Sequence, residues 1–366
     1  MSALKNIYSP AFYERLAAVL TQSLPGFDKD KFIALINSDG FEHKELKARM
    51  RHTAVVLHEF MPKDFSKAVV ALETIIENMR KAHFGQDSLA CMFLPDYVEV
   101  YGLDHYDDAI RALEYVTQFT SCEFAVRPFL IKYEKQMLAQ MTVWSKHHNH
   151  HVRRFASEGS RPRLPWAMAI PALKKDPTPV LPLLENLKND PSEYVRRSVA
   201  NNINDIAKDH PDIVLNIAKK WKGNSKETDA IVKHGARTLL KQGHPEILNV
   251  YGLDATHIDF SGFEILTPKV NMGDSVEFTF AIENKDNRPQ TVRLEYGMYY
   301  RKAKGQLAKK VFKISEKVYQ PGEKAAIVRK QSFKAITTRV FYPGEHQLTI
   351  IINGEEKQPI LSFELV

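Results

Sequence analysis

Up to about Tyr251, apolar residues recur at three- and four-residue intervals with prolines between the runs. That spacing lines up one face of an α-helix. One helix is expected from near Glu193 through Lys208, where Val195, Val199, Ile203 and Ile206 share a side. After about Ala255 the period drops to two. Val276, Phe278, Phe280 and Ile282 alternate with polar residues, as do Val292, Leu294, Tyr296 and Met298. Such alternation marks strands with one buried face. Leu348, Ile350 and Ile352 continue it into Asn353-Gly354, which suits a two-residue hairpin turn because both residues tolerate positive φ. Asn271-Met272-Gly273, Pro321-Gly322 and Pro343-Gly344 supply further turns. The pattern predicts an all-α region over residues 1–254, then a small all-β sandwich of immunoglobulin type over residues 255–366.

The helical region repeats itself. Asp190 to Pro211 reads as a turn followed by a helix that opens on Val195-Arg196-Arg197. A second Val-Arg-Arg stands at Val152 to Arg154, 43 residues earlier, and a further unit places Val232 37 residues later. Val126-Arg127 belongs to an irregular unit upstream. Periods near 40 residues are those of HEAT and armadillo arrays, so the expected fold is a HEAT-like α-solenoid.

Composition narrows the partners. A net charge of +7 favours an acidic one without naming it. The stretch from Ser145 to Lys222 holds 14 Lys/Arg against 8 Asp/Glu, which concentrates the surplus on the repeats. The two cysteines, Cys91 and Cys122, exclude a disulfide framework, a four-thiolate zinc site and an iron–sulfur cluster built from this chain alone; burial is expected for both. No apolar run follows a basic start, and none approaches a membrane span, so a soluble cytoplasmic protein is expected.

On the repeat helices, polar residues fall into stripes. Arg197, Asn201 and Asp205 are four apart in turn, as are Arg154 and Glu158, and Glu123 and Arg127. Neighbouring units would bring these stripes together along one surface. Acid–arginine pairs at this spacing are also ordinary surface salt bridges worth a few tenths of a kcal/mol. Against that reading, arginines suit phosphate contacts, whereas a carboxylate among them suits chemistry better than binding. The segment SEGSRPRLPW, Ser157 to Trp166, starts at a helix end with Gly159 as the expected cap. It interleaves Arg161 and Arg163 with Pro162 and Pro165 and ends on Trp166. A stiff basic loop with an aromatic tip could follow a phosphate backbone, or Trp166 could simply be core.

The string RRFASEGSRPRLPW, the repeat VRRSVANNINDIAKDHP after it, and the segment CEFAVRPF resemble the DNA alkylation repair glycosylases of the AlkC/AlkD superfamily. With the C-terminal β domain, AlkC is the nearer likeness, over essentially the whole chain. The resemblance implies a HEAT-like-repeat glycosylase that removes N3-methylated bases, 3-methyladenine and 3-methylcytosine, from double-stranded DNA, as a monomer without metal or cofactor. It implies Glu158 as the principal catalytic carboxylate, with Glu123 and Asp205 in support. Arg154 and Arg161 would hold flanking phosphates, with Arg127, Arg163 and Arg197 as further DNA contacts and Trp166 against the lesion nucleotide. The chemistry agrees: an N3-alkylated base is cationic and leaves neutral, so the enzyme needs a carboxylate for the oxocarbenium-like sugar and the attacking water.

Other features are weaker. His147, His148, His150 and His151 lack partners at zinc-ligand spacing and read as a solvated turn. No phosphate-cradling or dinucleotide glycine motif is present. In the β region, Tyr299 and Tyr300 precede Arg301, Lys302, Lys304, Lys309, Lys310 and Lys313. That hairpin could touch DNA or keep a sheet edge soluble. The competing function is a non-catalytic HEAT scaffold that binds DNA or an acidic protein. An adhesion or carbohydrate-binding role conflicts with the missing signal peptide.

Overall fold

The structure, a computed structural model, describes residues 4–87, 89–336 and 339–366. Its architecture is an α-solenoid followed by an immunoglobulin-like β-sandwich. Residues 1–210 with 221–235 form one compact unit, and residues 211–220 with 236–366 form another. The last helix ends at Val250 and the first long strand begins at Ile258.

The Val-Arg-Arg units show why the repeats form. Glu193–Ile206 is one helix, and Val195, Val199, Ile203 and Ile206 are all buried along it. His150–Gly159 is its counterpart one repeat earlier, burying Val152, Phe155 and Ala156. In both, the first arginine turns back onto the preceding turn. Arg153 Nη1 donates to the His147 and His148 carbonyls at 2.9 and 2.8 Å. Arg196 Nη1 donates to those of Asp190 and Pro191 at 2.7 and 2.9 Å. Arg153 also chelates the Asp190 carboxylate, which ties one repeat's turn to the next. These arginines satisfy carbonyls that the chain reversal leaves open. The second arginines, Arg154 and Arg197, are thereby the ones available for other work.

Close helix packing depends on glycines at the contacts, Gly102, Gly159 and Gly235 among them. A Cβ on Gly235 would stand 2.6 Å from Ile203 Cγ2, and one on Gly159 would stand 2.9 Å from Val126 Cγ1. Gly159 is therefore the last helical residue rather than the cap, and Ser160 takes the cap position. Its missing side chain serves packing, not a left-handed turn. The histidine run occupies the turn and the start of the His150–Gly159 helix, where Asn149 Oδ1 accepts from the His151 amide at 2.8 Å. Both cysteines are buried. No helix among the described residues is long and apolar enough to cross a membrane.

The sandwich is built from β1 (Ile258–Ile265), β2 (Lys269–Val270), β3 (Ser275–Asn284), β4 (Gln290–Arg301), β5 (Leu307–Tyr319), β6 (Lys324–Ser332), β7 (Gly344–Ile352), β8 (Glu355–Glu356) and β9 (Leu361–Leu365). One sheet has the order β1-β3-β6; the other runs β2-β9-β7-β4-β5 with β8 on β7. Val276, Phe278, Phe280 and Ile282 of β3 meet Val292, Leu294, Tyr296 and Met298 of β4 and Leu348, Ile350 and Ile352 of β7 in one core. Each expected apolar set thus lies inside, with burial alternating strictly along β3 while β4 and β7 are covered on both faces. Asn353 and Gly354 both have positive φ, 48° and 77°, and reverse β7 into β8 as their dipeptide preference demands.

Candidate active site

Six side chains of alternating charge lie in a row across adjacent repeats. Arg154 Nη1 donates to Glu123 Oε2 at 2.9 Å, while its Nη2 lies 3.8 Å from Glu158 Oε1. Arg161 Nη1 donates to that same Glu158 oxygen at 2.6 Å, and its Nε donates to Asp205 Oδ2 at 2.8 Å. Lys208 Nζ closes the row on Asp205 Oδ1 at 2.8 Å. Glu158 is 6% exposed and Asp205 1%. Burial works against the charge on Arg154 and on Arg161. The adjoining carboxylates, Glu123 and Glu158 for the first and Glu158 and Asp205 for the second, outweigh it and hold both guanidiniums above their ordinary value. Both arginine contacts fall on Glu158 Oε1, and its Oε2 has no partner among the described residues.

The backbone beneath this row is pinned by polar contacts between helices. Asn202 Nδ2 donates to the Ser157 carbonyl at 2.8 Å, and Ser198 Oγ donates to Ser157 Oγ at 3.1 Å. They fix the Glu158 helix against the Asp205 helix in a buried setting where unmatched polar groups are costly. After Gly159 the chain enters the loop 160–170. Its tip carries Trp166, which is 64% exposed and has φ +65°, a conformation uncommon for a bulky side chain. The loop is closed by the Ile170 amide donating to the Pro162 carbonyl at 3.1 Å. Lys47 Nζ donates to the Trp166 carbonyl.

Each expected site residue can now be placed. Glu123, Glu158 and Asp205 do come together, through Arg154 and Arg161. Trp166 is at the surface rather than in the core. The stripe Arg197–Asn201–Asp205 is not one surface, because eight residues of α-helix rotate by roughly 80°. Arg197 is exposed and paired with Glu193, while Asp205 is turned inward against Arg161. Glu123 and Arg127 do not share a helical face either, since the helix begins only at Val126. Arg161 is buried between two carboxylates, so a phosphate contact is corrected to an internal ion pair. Arg127 is likewise corrected from a DNA contact to an internal residue: it is 0% exposed and gives its Nε and Nη1 N–H groups to main-chain carbonyls. Burial, with the nearby Arg161, pushes its guanidinium down to about 10. Arg163 is at the surface, with both donors on the Asp209 carboxylate at 2.9 and 2.6 Å.

Two participants were missed. Lys208 lies three residues after Asp205, just past the helix end, a spacing at which opposite charges can pair. Tyr194 lies under the Arg154 guanidinium, 4.9 Å from ring centroid to Cζ, and no local spacing announces a contact across repeats. A surface groove of about 320 Å³ between Glu193–Ile206 and Lys226–Gly235 is lined by Arg197 and His234, but by none of the three carboxylates. Among the described residues, no cluster of His, Cys, Asp and Glu could hold a metal ion.

Residues 61–243 match the DNA alkylation repair enzyme family. Over 361 residues the chain is 44% identical to the protein YhaZ of Bacillus subtilis (strain 168), covering 98% of this chain and 99% of that protein. The chain belongs to the DNA alkylation repair enzyme family. Residues 259–366 match the C-terminal Ig-like domain of YhaZ, so the family's helical part is joined here to a second recognisable module. Among solved structures, the Pseudomonas fluorescens alkylpurine DNA glycosylase AlkC, bound to DNA containing an abasic site analog, resembles the chain at 35% identity. The match has a TM-score of 0.93 and covers 100% of both chains.

Proposed function

We propose that this family member is a DNA glycosylase that hydrolyses the N-glycosidic bond of cationic N3-alkylated bases, 3-methyladenine and 3-methylcytosine, in duplex DNA. Residues 1–254 would do the chemistry as a monomer in the cytosol, and residues 255–366 form the accessory Ig-like domain. The observation that carries this reading is the convergence of Glu123, Glu158 and Asp205 on Arg154 and Arg161, with an exposed tryptophan on the adjoining loop. The likeness to AlkC supports the same reaction class.

The chemistry follows from charge. A base already carrying a positive charge leaves as a neutral molecule, so little proton donation is needed. What rises in the transition state is positive charge on the sugar. A fixed carboxylate opposes that charge without reorganising. Glu158 serves this role, since Arg161 holds Oε1 by a hydrogen bond with the Arg154 guanidinium beside it, while Oε2 is left for sugar or water. Trp166 packs on the lesion nucleotide, and Arg154, Arg163 and Arg197 lie toward the phosphates.

The test is incubation with methylated duplex DNA. Free 3-methyladenine and alkali-labile breaks are expected; no base release would leave the non-catalytic scaffold. Affinity for duplex DNA should also fall steeply with salt, since phosphate contacts release counterions. Binding that ignores salt would count against a phosphate-tracking face.

A further inference from the structure

Arg127 is the largest charged side chain among the fully buried residues, and the carboxylate row does not use it. Its guanidinium spans the two ends of the loop that carries Trp166. Nη1 donates to the Gly159 carbonyl at 3.1 Å and to the Arg161 carbonyl at 2.9 Å. Nε donates to the Met168 carbonyl on the far side of the loop. Gly159 is the last residue of the Glu158 helix and Arg161 lies just beyond it, where backbone acceptors lack intrahelical donors. Arg127 thus fixes the backbone of Arg161, whose side chain grips Glu158 and Asp205, and the backbone two residues beyond Trp166.

The geometry demands such a hold. Trp166 sits at positive φ, a strained state that persists only where the surroundings impose it. The adjacent Val126 presses on Gly159 so closely that any side chain there would collide. A lysine at 127 could not replace the planar fork, because its single ammonium cannot reach three carbonyls at the two ends of a loop.

We propose that Arg127 is a positioning residue, which holds the Trp166 loop and the Arg161 backbone in register so that Glu158 and Trp166 meet the same nucleotide. This rests on the glycosylase reading above. It predicts a defect in the chemical step rather than in DNA capture, because affinity comes from surface cations and Arg127 has no surface.

The experiment compares wild type and Arg127→Lys. Single-turnover release of 3-methyladenine should fall by about 10²-fold, the penalty typical of a misplaced reacting group. The dissociation constant for duplex DNA should stay close to that of wild type. The second readout is the tryptophan that acrylamide can quench, which is Trp166 because Trp144 and Trp221 are buried. In Arg127→Lys the anisotropy of that quenchable fraction should drop as the loop loosens. An unchanged rate with unchanged anisotropy overturns the proposal, as does a rate loss that merely follows lost DNA affinity. If wild type releases no base, the glycosylase reading fails while anisotropy still decides the loop-holding role. Should Arg127→Lys not fold, Arg127→Gln keeps two N–H donors without the buried charge and carries the same measurements.

Discussion

Glu158→Gln is expected to slow release of 3-methyladenine by about 10²–10³-fold, the range seen when one preorganised electrostatic group is removed from a transition state. The substitution keeps the side chain's shape and an oxygen for Arg161 Nη1, which now donates at 2.6 Å. Arg161 retains Asp205, and Arg154 retains Glu123, so neither guanidinium is left without an anion. The fold should therefore hold, and duplex DNA affinity should be nearly unchanged. Single-turnover release, paired with a binding isotherm on unmodified duplex, separates the two effects. A variant that releases base at the wild-type rate removes Glu158 from the mechanism. A variant that loses affinity in step with rate makes Glu158 a binding residue.

The change from helical to alternating spacing put Val195, Val199, Ile203 and the β3, β4 and β7 sets inside, and all are buried. Local periodicity carries that information because burial is a property of one face of one element. The acids were findable too, since Glu158 and Asp205 stand out in basic repeats. What spacing could not supply was the contacts between elements. Arg161 reaches Asp205 across 44 residues, and Arg127 reaches Met168 across 41. In sequence each resembles a DNA contact, because an arginine in a basic segment looks outward until its neighbours are known. The Val-Arg-Arg motifs hid a similar division. Their first arginines close turns, and only the second ones face away from that task.

Arg161→Met is expected to lower folding stability by about 3–5 kcal/mol, the cost of stripping a buried ion pair of one member. For a unit of this size that corresponds to an apparent Tm drop of roughly 10 °C. The methionine fills much of the volume, so the loss is electrostatic: Glu158 and Asp205 remain buried with no cation between them. Arg154 still stands near Glu158, and Lys208 still meets Asp205, which softens the effect at each end of the gap. Adding Asp205→Asn to the variant should restore part of the Tm, because the second change removes a charge that the first left stranded. This measurement divides two roles for one residue. A phosphate-binding Arg161 would weaken DNA affinity and its salt dependence while leaving Tm in place. An internal Arg161 does the reverse, with the melting transition of the DNA-free protein moving first. A Tm unchanged in Arg161→Met would mean that the row of alternating charges does not exist in solution, and Glu158 would lose the fixed orientation on which its catalytic role depends.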